Sequence, residues 1–355
     1  MKKKQIFNIA LALVFLIFVV PLKAQVSKEK TIQENFSIQN GTTLSVDNKF
    51  GTIHINTANV LQIQVKVTLI AKAKNDDRAE KVLNSLNVEM TGGKDIRLET
   101  IQGSVNDIKG VLIPSMLGGN DKKNMTVDVK MNNNENFEVN YLITMPSNIP
   151  LNLENKFGSI YLGNHQAALD IDLSYGSLKG LKFTGGDQKT VSVKFGSANI
   201  DYLENANVEM SFSDLDIQEA KTIQYSGKHG SCEITKVHEI TGTSSFSKFI
   251  IGTLTGRLQM ESKQDGEFQI NQISSGFSGI NLDASFAQVS LGFDANTSFK
   301  FDVDVKFAGL KMNESLYNIT DKQEGNTSAH YEGSRGTNPK ALVKIYSKYG
   351  DVKFK

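Results

Sequence analysis

Seven aspartates stand where paired carboxylates could do acid–base work: Asp170, Asp172, Asp201, Asp214, Asp216, Asp302 and Asp304. Each close pair alternates with apolar residues, as in Ser213-Asp214-Leu215-Asp216-Ile217, which puts the acids on the outer face of a strand whose inner face is core. A solvated face is the reading this pattern supports. Catalysis would need acids from at least three adjacent strands converging in one groove with shifted pKa values. His229, Cys232 and His238 are zinc ligands by type. Yet His229 occupies a recurrent aromatic position and Cys232 an inward one, where its counterparts are Leu215 and Phe249. The thiol is expected to pack as a small hydrophobe, and the set falls short of a closed four-ligand site. A calcium-binding Gly-Gly-x-Gly-x-Asp nonapeptide is absent. The sequence assigns no catalytic, cofactor-binding or metal-ligating residue.

Lysine recurs just before an aromatic at Lys49, Lys156, Lys194, Lys228, Lys306 and Lys348, and Ser174, Ser211 and Ser245 hold the intervening positions. Such a stripe could engage an anionic glycan or a lipid headgroup. Edge protection and solubility are the simpler roles. The chain has no Trp, and its regularly placed aromatics are expected to form a buried stack. Tyr161, Tyr202 and Tyr317 fall outside that series.

The elements that must position these residues come from a six-residue cassette: an aromatic, a tiny residue, a polar one, then two apolar residues around a variable one. It reads Phe50-Gly51-Thr52-Ile53-His54-Ile55, Phe157-Gly158-Ser159-Ile160-Tyr161-Leu162 and Phe195-Gly196-Ser197-Ala198-Asn199-Ile200, and it closes the chain as Tyr349-Gly350-Asp351-Val352-Lys353-Phe354. In register, the lead residues are Phe50, Phe157, Tyr175, Phe195, Phe212, His229, Phe246, Asp265, Phe286, Phe307 and Tyr349. From Phe157 to Phe307 they are 18, 20, 17, 17, 17, 19, 21 and 21 residues apart. A second alternating strand precedes each lead, as Leu169, Ile171 and Leu173 precede Tyr175. That period predicts a mainly β chain coiled as a right-handed parallel β-solenoid (β-helix) with a small N-terminal α+β extension. The small residue after each lead serves a sharp bend or a close neighbour.

Residues 1–24 read as a secretion signal, with Lys2, Lys3 and Lys4, an apolar run from Ile6 to Val20, and Leu22-Lys23-Ala24 before Gln25. Its removal would take Lys+Arg from 39 to 35 against 38 acids, a formal charge of −3 that argues against nucleic acid as a partner. No later stretch is apolar and long enough to span a membrane, so the expected location is exported, in the periplasm or at the cell surface. A lone cysteine allows no internal disulfide.

Residues 25–146 are expected to form an N-terminal α+β region with one rung-like segment at 42–70, in which Leu44, Val46 and Phe50 match Leu151, Leu153 and Phe157. Asp77 and Glu80 suggest a capping box for a short helix that buries Ala79, Val82, Leu83 and Leu86. An irregular stretch at 103–121 and a hairpin pairing 125–131 with 137–145 follow. Residues 147–312 should be the solenoid, and 313–355 a polar mobile loop followed by a capping rung.

The segment Tyr141-Leu142-Ile143-Thr144-Met145-Pro146, leading to Leu151-Asn152-Leu153-Glu154-Asn155-Lys156-Phe157-Gly158 and the repeated rungs, resembles the bacterial putative-adhesin families of secreted β-solenoid domains, some described as toast-rack domains. The resemblance covers most of the chain after residue 24. It implies a single-chain β-helix with a surface or adhesion role and no catalytic residues. The expectation is a secreted, non-enzymatic adhesin-like or scaffolding module that binds an envelope glycan or protein. The alternatives are a polysaccharide-active β-helix lyase or hydrolase and an envelope-stress partner-binding protein.

Overall fold

A computed structural model describes residues 25–102 and 135–355. The expected signal (1–24), the irregular stretch 103–121 and the strand 125–131 lie outside the described residues. The described chain is mainly β and divides into two units.

Of the described residues, the smaller unit comprises 25–30, 70–86, 102 and 135–137. Its helix, Asp76–Ser85, buries Ala79, Val82 and Leu83 as the 3.6-residue pattern predicts. The cap is Asn75, not Asp77, and its side chain accepts a 3.0 Å hydrogen bond from the Arg78 amide. Glu80 instead pairs with Lys28 at 2.9 Å. Glu135 is buried and takes both arms of the Arg78 guanidinium, at 2.7 and 3.0 Å, the fork geometry that satisfies a desolvated carboxylate.

The larger unit comprises Thr31–Leu69, Asn87–Ile101 and Glu138–Lys355. Its strands form two columns of parallel pairs. In the first column Asp95–Gln102, Thr43–Lys49, Leu151–Lys156, Leu169–Ser174 and Lys189–Lys194 follow one another in register. The column continues through the long extended run Ser197–Lys263 to Gly279–Ser285, Ala341–Lys348 and Phe299–Lys306. The second column passes from Asn136–Met145 through Ile53–Thr57, Ile160–Leu162 and Ser177–Phe183 into the same run. It then continues to Glu267–Ile273, Gln288–Phe293, Val352–Phe354 and Leu310–Lys311. Leu44 is opposite Leu151 and Val46 opposite Leu153, as the sequence match requires. Inward residues such as Leu169, Ile171 and Leu173 are buried, while Asp170 and Asp172 face out.

A corner joins the two strands of each rung, and there the lead residue carries the bend. Phe50, Phe157, Tyr175, Phe195, Phe212, His229, Phe246, Phe286, Phe307 and Tyr349 all have φ between 49° and 60°. This left-handed conformation costs a non-glycine residue about 1–2 kcal/mol. The glycine that follows is needed for close approach instead. A Cβ on Gly176 would lie 1.7 Å from the Gly158 carbonyl oxygen, and one on Gly158 1.8 Å from that of Gly51.

The eighth corner is Gln264, at φ 56°, not Asp265. Phe268 pairs with Phe249, three residues past Phe246 but four past Gln264, so this corner holds one extra residue. Asp265 turns inward, where its carboxylate accepts from the Ser247 amide at 2.8 Å and the Ser262 hydroxyl at 2.7 Å.

The final rung is not the cap. Ala341–Lys348 lies between Gly279–Ser285 and Phe299–Lys306, and residues 313–338 are not a loop. They contain Asn318–Glu324 and Ser328–Arg335, an antiparallel pair laid along the free edge of Phe299–Lys306. Ala341, Val343 and Ile345 match the inward positions on both sides and take the interior place. The charged hairpin takes the edge, where polar strands resist further pairing.

Candidate functional site

The corners stack the lead side chains into a ladder. Ring centroids of Phe50, Phe157, Tyr175, Phe195, Phe212, His229 and Phe246 follow one another at 5.1, 4.9, 4.9, 5.2, 4.5 and 4.8 Å. The separation matches the ~4.8 Å strand spacing, so the backbone ladder dictates it. After the interruption at Gln264 the stack resumes as Phe286, Tyr349 and Phe307, at 4.6 and 5.0 Å. The expected stack exists, but it is not buried: Phe157, at 39% exposed, and Phe307, at 56%, bracket the other exposed rings. The corner conformation turns each ring away from the core. Inner rings have both faces covered by neighbours, leaving edges in solvent. A ring edge carries the positive end of the aromatic quadrupole.

Two polar columns flank the ladder. In spatial order, the residues before the leads are Lys49, Lys156, Ser174, Lys194, Ser211, Lys228, Ser245, Lys263, Ser285, Lys348 and Lys306. Lys156 pairs with Glu154 at 2.6 Å and Lys263 with Glu261 at 2.8 Å. The Glu154 contact raises the Lys156 pKa against the cost of burial. Among the described residues, Lys194 and Lys228 make no ion pair. On the other side stand Ser159, Ser177 and Ser197, with the Ser159 and Ser177 hydroxyls 2.8 Å apart.

No family model and no curated protein matches this chain. Solved structures do. A "putative adhesin" from Parabacteroides distasonis is 10% identical, covering 92% of this chain and 97% of its own, with a TM-score of 0.33. A "putative lipid binding protein" from the same organism is 9% identical over the same shares, also at 0.33. A "putative cell adhesion protein" from Clostridium sporogenes is 11% identical, covering 92% and 99%, at 0.21. At these TM-scores the similarities carry no conclusion about this chain.

The seven candidate aspartates do not converge. Asp214 accepts from the Ser231 amide at 3.0 Å and the Ser231 hydroxyl at 2.6 Å, Asp216 from Gln218 at 3.0 Å, and Asp201 is exposed. A different set aligns: Glu99, Asp47, Glu154 and Asp172 occupy four adjacent rungs. Burial, reinforced by Glu154, raises the Asp47 pKa. These acids stand on an outward sheet face and line neither the cavity beside Asp304 and His330 nor that beside Leu44, Leu151 and Leu169.

Asp302 and Asp304 do meet a partner, His330, which pairs across from Asp304. Nδ1 of His330 is 2.9 Å from Asp304 and Nε2 is 3.3 Å from Glu332, while Lys344 lies 3.4 Å from Asp302. The hydrogen bond to Asp304 raises the His330 pKa. Asp302, His330 and Glu332 could each offer one atom to a metal, although Lys344 already supplies a cation there. An adjoining cavity of about 520 Å³ is lined by Asp304, Lys306, Glu324, His330 and Tyr346. Nothing in the sequence marked His330, because the antiparallel return of the hairpin is what brings it to Asp304.

His229, Cys232 and His238 separate by role. His229 is a ladder ring, Cys232 is buried with its thiol pKa pushed up, and His238 meets the Thr255 hydroxyl at 3.1 Å. Tyr161 stacks loosely on His54, and Tyr317 packs edge-on to Phe301. No helix among the described residues is long and apolar enough to cross a membrane.

Proposed function

We propose that this chain is an exported, non-enzymatic right-handed β-solenoid of the bacterial envelope that acts as an adhesin-like or scaffolding module through its corner ladder. The observation that carries this reading is the run of seven stacked, solvent-edged rings from Phe50 to Phe246. Large apolar groups held in a line at a left-handed backbone position cost conformational energy and expose hydrophobic surface, a combination associated with binding surfaces. The in-register parallel columns support the coil, and the four aligned acids Glu99, Asp47, Glu154 and Asp172 stand on an open face.

The test is sedimentation of the purified protein with intact bacterial cells and isolated envelopes. Phe195→Asn, Phe212→Asn and Phe246→Asn combined remove three rings while keeping a residue that tolerates positive φ. Binding should fall at least tenfold with the fold retained by circular dichroism. Unchanged binding would refute the ladder as the functional surface.

A further inference from the structure

Resting on that surface-binding reading, we propose that the ladder's partner is a linear anionic glycan lying along the stack, with negative charges on alternate sugars. The motif is the lysine column. From Lys156 to Lys348 it alternates Lys and Ser without exception over nine rungs, and Lys306 stands beyond Lys348. Lysines on every second rung stand about 9.6 Å apart, twice the strand spacing.

Avoidance of like-charge repulsion does not account for the alternation. Glu99, Asp47, Glu154 and Asp172 stack on consecutive rungs, as do Lys348 and Lys306. The width of the strip argues for a single-file ligand over a flat anionic surface. Two residues before the lysine column runs an acid-rich column that includes Asp47, Glu154, Asp172, Glu209, Glu261, Asp283 and Asp304. A bilayer broad enough to reach the lysines would meet that whole column, whereas one polymer chain on the ladder would meet Glu154 and Glu261 through their lysine pairs, with Asp214 and Glu267 on the opposite bank. Because the inner rings have covered faces, sugar rings cannot stack on them. The ladder contributes electropositive edges, and Ser159, Ser177 and Ser197 offer hydroxyls on the opposite bank.

The test is calorimetric titration with hyaluronate oligosaccharides, charged on every second sugar. Controls are polygalacturonate oligosaccharides of equal length, neutral cello-oligosaccharides and phosphatidylglycerol–phosphatidylcholine vesicles. Hyaluronate should bind best, its affinity rising with length as successive lysines engage and falling with salt. Lys194→Ser with Lys228→Ser extends the native serine column and should weaken binding about tenfold. Ser211→Lys adds charge but breaks the spacing, and should shift preference toward polygalacturonate. Melting temperatures report whether each variant folds. Equal affinity for charged and neutral sugars, preference for vesicles, or tighter hyaluronate binding by Ser211→Lys would overturn the proposal. Envelope binding that persists without glycan binding would overturn this inference alone, since the ladder variants test the broader reading separately.

Discussion

Two aromatic stacks in the larger unit have nearly the same geometry and opposite surroundings. Phe249 and Phe268 lie 5.0 Å apart at 6° with both residues 0% exposed, while Phe195 and Phe212 lie 5.2 Å apart at 7° with their edges in water. Ring stacking here is therefore a product of the rung spacing, not of burial. Burial decides instead what each stack is worth. In the core a ring fills volume that nothing else can fill; at the corner it covers its neighbours and little more.

Substitutions should separate the two. Phe249→Ala should lower stability by about 3–5 kcal/mol in denaturant titration, the usual cost of emptying a buried aromatic site. Gly176→Ala should follow at about 1–3 kcal/mol, because the new Cβ meets backbone that cannot rotate away. Phe212→Asn should cost only about 1 kcal/mol by the same measurement, since it loses two exposed stacking contacts in a conformation Asn accepts. A core-sized loss at Phe212 would erase the distinction. Gln264→Phe should raise stability by about 0.5–1 kcal/mol by bridging Phe246 and Phe286, which would show that the ladder's interruption is chemical.

The terminal hairpin supplies a pH-dependent case. His330 has a raised folded-state pKa through Asp304, so its stabilising contribution is full below about pH 6.5, the ordinary histidine value, and is lost as pH rises through the folded pKa. Hydrogen exchange in Ser328–Arg335 should accelerate over that interval, and His330→Gln should abolish the step. Exchange insensitive to pH after correction for intrinsic rates would sink the assignment.

The rung register was legible because period-two alternation and the aromatic–glycine pair are local signals. Leu44 opposite Leu151 follows from them directly. The spacing points to Asp265 where the corner is Gln264, because a one-residue insertion leaves the downstream alternation intact and hides in the corner. Ring exposure was misjudged because hydrophobicity does not say which way a left-handed corner aims its side chain. The charged hairpin read as loop because its partner strand is supplied from a distant segment.

By itself the sequence determined the repeating unit, its inward and outward faces and the identity of every corner but the one at Gln264, since each depends on neighbours within a few residues. Tertiary structure alone decided the order of the rungs: the last one written is not the last one stacked. Parallel in-register pairing accepts any rung with matching inward residues, and Ala341–Lys348 matches both neighbours. The choice was left to which strand could tolerate the solvent edge, and that went to the charged hairpin.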